Sequence, residues 1–103
     1  MGGNGVTKPR CERSGAMILF ECPGCEYSHG VHVEPEGKYP VWKWNGSLDR
    51  PTFYPSILVR SNVGDPPRDT VCHSFVTDGR IQFLGDCTHA LAGQTVYLPV
   101  IEA

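Results

Sequence analysis

Apolar and polar residues alternate with a period of two in short runs, and the runs are broken by Gly, Pro, Asn and Asp. That is the pattern of half-buried strands joined by tight turns. The clearest case is Val71 to Phe83, where two runs rich in β-branched and aromatic residues flank Asp78-Gly79. A two-residue type I′ loop needs positive φ at both central positions, which Asp-Gly accepts, so this segment is predicted to be a hairpin. Counting outward from the turn pairs Thr77 with Arg80, Val76 with Ile81, Phe75 with Gln82, Ser74 with Phe83, His73 with Leu84 and Cys72 with Gly85. Side chains alternate faces along a strand. Cys72, Ser74, Val76, Ile81 and Phe83 therefore form one face, which reads as core, and Cys87 joins them if the strand continues. Val71, His73, Phe75, Gln82, Leu84 and Asp86 form the other, with His73 diagonal to Asp86 and within side-chain reach.

Elsewhere the first apolar run is Met17 to Phe20, followed by a strand at Gly30 to Val33. Tyr39 to Val59 reads as a strand, an Asn45-Gly46 turn, a Pro-rich loop and a second strand, with Trp42 and Trp44 on one face. Ser61 to Asp69, containing Pro66-Pro67, reads as a surface loop. Thr88 to Gly93 has the cap residues of a single helical turn. Gln94 to Ile101 is a last strand, placed at a sheet edge by Pro99. The expected fold is mainly β: a small antiparallel sheet or partly open barrel, with a zinc knuckle and one short helical turn. Residues 1–16 are Gly-rich and lack periodicity, so they are expected to be a disordered extension that includes Cys11, with Met17 as the native initiator. Residues 17–103 are then the single folded domain.

Composition narrows the function. Twelve Gly and nine Pro in 103 residues suit a loop-rich β protein. The net charge is −2 and no basic cluster is present, which argues against nucleic-acid binding. No apolar run approaches the ~20 residues of a membrane-spanning helix, and no signal peptide is evident, so a cytoplasmic protein is expected. Five cysteines without a signal peptide point to metal or free thiols rather than a disulfide framework.

Cys22-Pro-Gly-Cys25 is a knuckle spacing, in which a tight turn aims two thiolates at one zinc ion about 2.3 Å away. The hairpin register supplies Cys72 and Cys87 as the other pair, with His29, His32 and His89 as competing ligands. A redox pair would require a following helix to lower the first thiol's pKa, whereas a strand follows here. A four-ligand zinc site would contribute on the order of 10 kcal/mol to folding.

Several motifs occur together in one order: Cys22-Pro-Gly-Cys25 with His29, Trp42-x-Trp44-Asn-Gly46, Pro51-Thr-Phe-Tyr-Pro-Ser56, Cys72-His-Ser-Phe75, and Phe83 to Val96. From about Met17 to Pro99 the chain thereby resembles a family of small phage and prophage proteins of unknown function that are often labelled ammonia monooxygenase. Nothing in the sequence assembles the open His-rich or carboxylate site of a copper or iron oxygenase. More distant similarity is to proteins of bacterial ubiquitin-like conjugation operons that look like deubiquitinase-type serine proteases. Those relatives have a Ser-His-Phe order where this chain has His73-Ser74-Phe75. Pro55-Ser56 is held in common.

Two functions follow. One is a hydrolase of peptide or isopeptide bonds, acting on a host protein or ubiquitin-like conjugate. In it Ser56 or Ser74 attacks, His73 (or His29 or His89) is the base, and Asp86 orients the imidazole. The other is a non-catalytic zinc-stabilised module that binds a host protein through Trp42, Trp44 and nearby loops.

Overall fold

A computed structural model describes residues 8–102. Eight strands form two antiparallel sheets and no closed barrel, and no helix occurs among the described residues. The first sheet has the order β1-β2-β3, from β1 (Glu12–Ser14), β2 (Met17–Cys22) and β3 (Tyr27–His32). The second runs β4-β5-β6-β7-β8 and comprises β4 (Lys43–Trp44), β5 (Phe53–Val63), β6 (Arg68–Thr77), β7 (Arg80–Phe83) and β8 (Thr95–Tyr97). None of the described residues lies in a helix long and apolar enough to cross a membrane.

The hairpin has the expected register, with Ser74 opposite Phe83, Phe75 opposite Gln82, Val76 opposite Ile81 and Thr77 opposite Arg80. Asp78 and Gly79 both have positive φ, at 52° and 79°, as a type I′ turn requires. Its inner face is the core: Cys72, Ser74, Val76, Ile81 and Phe83 are all buried. These residues pack against Ile18, Phe20, Cys22 and Val31 of the first sheet, and Phe20 stacks on Phe53 with ring centroids 6.0 Å apart. The opposite face of the second sheet carries Leu58, His73, Phe75 and Gln82, and Leu58 is half exposed.

Four expectations change. Residues 8–16 are not an extension. Arg13 pairs with Ile18 in the ladder, and Cys11 is fully buried. Arg10 donates to the carbonyls of Leu98 and Asp49. Lys8 pairs with Glu102 at 2.8 Å. Docking comes from backbone pairing, polar side-chain contacts and one small buried thiol, which apolar periodicity does not register. Residues 1–7, the remainder of the expected disordered segment, lie outside the described residues. The helical turn at Thr88 to Gly93 is instead a series of turns, because Thr88 Oγ1 accepts from Val71 N–H rather than capping a helix. The expected loop at Ser61 to Asp69 is mostly ladder, with Ser61 opposite Thr70 and Val63 opposite Arg68. Finally, β7 stops at Phe83: Gly85 and Asp86 form a turn closed by Cys87 N–H to Leu84 O at 3.2 Å, so Cys87 does not continue the strand.

Candidate active site and metal cluster

Ser56 occupies an irregular stretch of β5. Phe53 pairs with Val76 and Ile57 with Ser74, so Tyr54, Pro55 and Ser56 together face the single residue Phe75. Extra residues of this kind take a side chain out of regular alternation and re-aim it. Two carbonyls of the bulge are held from outside the ladder, because Trp42 Nε1–H is shared between Pro55 O at 3.1 Å and Ser56 O at 3.2 Å. The indole of Trp44 donates likewise, to Ser47 O, and both rings pack against the core.

The re-aimed hydroxyl meets His73, with Ser56 Oγ 3.1 Å from Nε2. On the other side of the same ring, Nδ1 lies 3.1 Å from Asp86 Oδ2. An ionised carboxylate can only accept, so Nδ1 carries the proton and Nε2 is left with a lone pair toward the serine hydroxyl. Hydroxyl, imidazole and carboxylate thus stand in line on the open face of the second sheet, with Asp86 half exposed and His73 partly covered. The other candidates lie elsewhere. Ser74 points into the core and its hydroxyl has no hydrogen-bond partner. His89 packs edge-on to Phe83 at 4.4 Å and accepts from Leu91 N–H at Nδ1. His32 pairs with Glu36 and stacks on Tyr39.

Behind His73, on the inner face, the thiols gather. Donor atoms of Cys22, Cys25, His29 and Cys72 all lie within 4.8 Å of one another, an arrangement able to hold a metal ion. Cys22 and Cys72 sulfurs are 3.8 Å apart, close to the edge of a tetrahedron whose metal–sulfur radius is about 2.3 Å. His29 is buried and its Nε2 has no hydrogen-bond partner. The proton-sharing contact from Cys72 holds the Cys22 thiol down to about 3, while the same contact and burial push Cys72 up. Burial also raises Cys25.

Cys87 does not belong to this four-residue group. It forms a second group with Cys72 and His89, and its sulfur accepts from His73 N–H and donates to His73 O, both at 3.2 Å. β3 carries the His29 ring inward opposite Phe20, beside Cys22, Cys25 and Cys72, whereas the turn after β7 sets Cys87 against the backbone of β6. His89 presses on the knuckle through Gly24, where a Cβ would come within 2.3 Å of the ring. Its Nδ1 accepts Leu91 N–H, and its Nε2, like that of His29, is buried without a hydrogen-bond partner.

A small two-sheet β protein with a Ser-His-Asp array on one face and a metal-competent thiol cluster on the other defines the class. The chain belongs to the family described as bacterial ubiquitination-like system serine protease (BubE), whose model matches residues 4–84. The matched stretch contains Ser56 and His73 and stops just short of Asp86. No curated protein and no solved structure matches it.

Proposed function

We propose that the chain is a serine peptidase or isopeptidase that cleaves ubiquitin-like conjugates in the bacterial cytoplasm, with Ser56 as nucleophile, His73 as general base and Asp86 as the group that orients and charges-balances the imidazole. The single observation that carries this reading is the two 3.1 Å contacts on opposite nitrogens of one ring. Membership of a serine-protease family supports it. Ser56 Oγ attacks the scissile carbonyl carbon while its proton passes to His73 Nε2, and Asp86 stabilises the resulting imidazolium. Collapse of the tetrahedral adduct expels the amine, which takes that proton, and leaves an acyl ester on Ser56. A water molecule, deprotonated by His73, then releases the acid and restores the serine.

Zinc in the Cys22, Cys25, His29 and Cys72 cluster would have a structural role, since all four protein donors close the coordination shell. It would tie β6 to the first sheet directly behind His73.

A fluorophosphonate probe tests the catalytic reading by intact mass and peptide mapping. The expected result is one adduct on Ser56 that is absent in Ser56→Ala and His73→Ala and retained in Ser74→Ala. A folded wild-type protein that takes up no probe, or an adduct that survives Ser56→Ala, overturns it.

A further inference from the structure

Along the open face, the site continues past His73 into a cavity of about 250 Å³ lined by Phe75, Thr77, Arg80, Gln82 and Thr95. The ladder puts all five on the face of His73: Phe75 follows it at a spacing of two on β6, Gln82 is opposite Phe75, Arg80 opposite Thr77, and Thr95 opposite Gln82. Thr77 is four residues from His73, about 13 Å along the strand. A cleaved polypeptide laid over Ser56 would reach it within about three or four residues at the ~3.3 Å per residue of extended chain.

The chemistry of the cavity is one-sided. Arg80 is exposed and makes no ion pair among the described residues, whereas Arg13 is paired with Glu34 and Arg50 with Asp78. No carboxylate lines the cavity. The nearest acids by sequence are engaged, Asp78 with Arg50 and Asp86 with His73. The lining residues besides Arg80 are two threonines and a glutamine, whose hydroxyls and amide can donate, and Phe75. An unpaired guanidinium among neutral donors suits a planar carboxylate, which it grips with two parallel N–H bonds. A local positive charge among neutral donors favours an acidic group by charge complementarity.

We infer that this cavity is a substrate subsite that takes a carboxylate, from an acidic side chain or a free C-terminus, a few residues from the scissile bond. The inference rests on the reading of Ser56, His73 and Asp86 as hydrolytic, since that reading makes this face the substrate face. Arg80 is its specificity-determining residue.

Binding and cleavage are measured separately. Fluorescein-labelled hexapeptides bearing one Glu at each successive position, with Gln twins, each as the C-terminal acid and amide, are titrated against Ser56→Ala protein by fluorescence polarisation. At least one Glu peptide, or the free-acid form, should bind tenfold or more tighter than its neutral twin, equivalent to about 1.4 kcal/mol. Arg80→Gln in the Ser56→Ala background should erase that ratio, and Arg80→Lys should keep part of it. Whether the preference follows the side chain or the terminus identifies the source of the carboxylate. Equal binding of charged and neutral twins, a preference that survives Arg80→Gln, or no binding of any peptide at millimolar concentration overturns the subsite. Cleavage of the same peptides by wild type and not by Ser56→Ala reports on the hydrolytic reading alone, so each can fail without the other.

Discussion

Ser56 is the one member of the array that does not sit on the β6–β7 hairpin or the turn after it, and Trp42→Phe isolates what holds it. In the ladder, Ile57 and the residues after it pair regularly with β6, but Tyr54, Pro55 and Ser56 face only Phe75. The hydrogen bonds from Trp42 Nε1 at 3.1 and 3.2 Å are therefore a fixed external restraint on the carbonyls of this segment. Phenylalanine keeps most of the ring packed against the core and removes only the donor. Sharing of one N–H between two acceptors, one exposed and one part-buried, makes the loss that of at most about one hydrogen bond, or about 0.5–1.5 kcal/mol of stability. The rate should suffer more than the stability. A misplacement of about 1 Å of a reacting group can cost on the order of 10²-fold, because attack needs near-contact geometry. Urea unfolding gives the stability term, and the rate of fluorophosphonate labelling of Ser56 gives the reactivity of the hydroxyl. The expected outcome is a labelling rate lowered about ten- to a hundredfold in a protein that still folds cooperatively at the assay temperature. A labelling rate equal to wild type, with a measurable loss of stability, would refute the idea that Trp42 places Ser56 and leave it as a packing residue.

Two further outcomes follow from the cysteines. Purified protein should carry one equivalent of zinc by elemental analysis; His29→Ala and Cys22→Ser should lose it, Cys87→Ser should keep it, and strong chelators should unfold the domain, since a structural site worth on the order of 10 kcal/mol is comparable to the whole stability of about 5–15 kcal/mol. Cys11 is fully buried, and that burial pushes its thiol from an ordinary 9.0 up to about 11. In that window the unfolded chain gives up a proton that the folded chain keeps. Stability should therefore be unaffected by this group below pH 9 and fall by about 2–3 kcal/mol as pH rises toward 11, a slope that Cys11→Ala lacks when the two are compared by urea unfolding at each pH.

The hairpin was legible because its cause is local. Asp78-Gly79 selects the turn, the turn sets the register, and successive residues of β6 put His73 and Cys72 on opposite faces, while Asp86 reaches His73 from the turn after β7. What the sequence did not disclose is non-local or falls at the end of an element. The contact between Ser56 and His73 joins residues on different strands through a bulge, and bulges leave no period to read; Pro55 beside Ser56 was the one signal available. Cys87 was expected to follow the alternation beyond Phe83, but Gly85 and Asp86 turn the chain there, and Cys87 comes close to Cys72 and His89 from that turn. His29 was kept as a competitor on spacing, and the ladder between β2 and β3 brings it beside Cys22, Cys25 and Cys72. Arg10 and Cys11 sit in a segment that is polar in composition yet anchored by backbone pairing and carbonyl contacts, neither of which hydrophobic patterning can detect.

The two chemistries of this protein share a strand, and that has a mechanical consequence. Consecutive residues of β6 point to opposite faces, so Cys72 joins the thiol cluster while His73 lies on the open face against Ser56. The thiol of Cys87 bonds both the amide and the carbonyl of His73, and Asp86 is its neighbour in the chain. His73 and Asp86 are thus set by a local framework that is closed by the tight turn and backed by the cluster. Ser56 reaches them only through the β5–β6 ladder, the bulge and the Trp42 indole. Substitutions around the cysteines should therefore cost stability first, and activity in proportion to it, because they loosen both hairpin members together. Substitutions around Tyr54, Pro55 and Trp42 should cost activity out of proportion to a modest loss of stability, because they move the nucleophile relative to a base that stays in place. The separation of those two responses is what distinguishes a catalytic array built across two supports from a set of surface contacts that merely coincide.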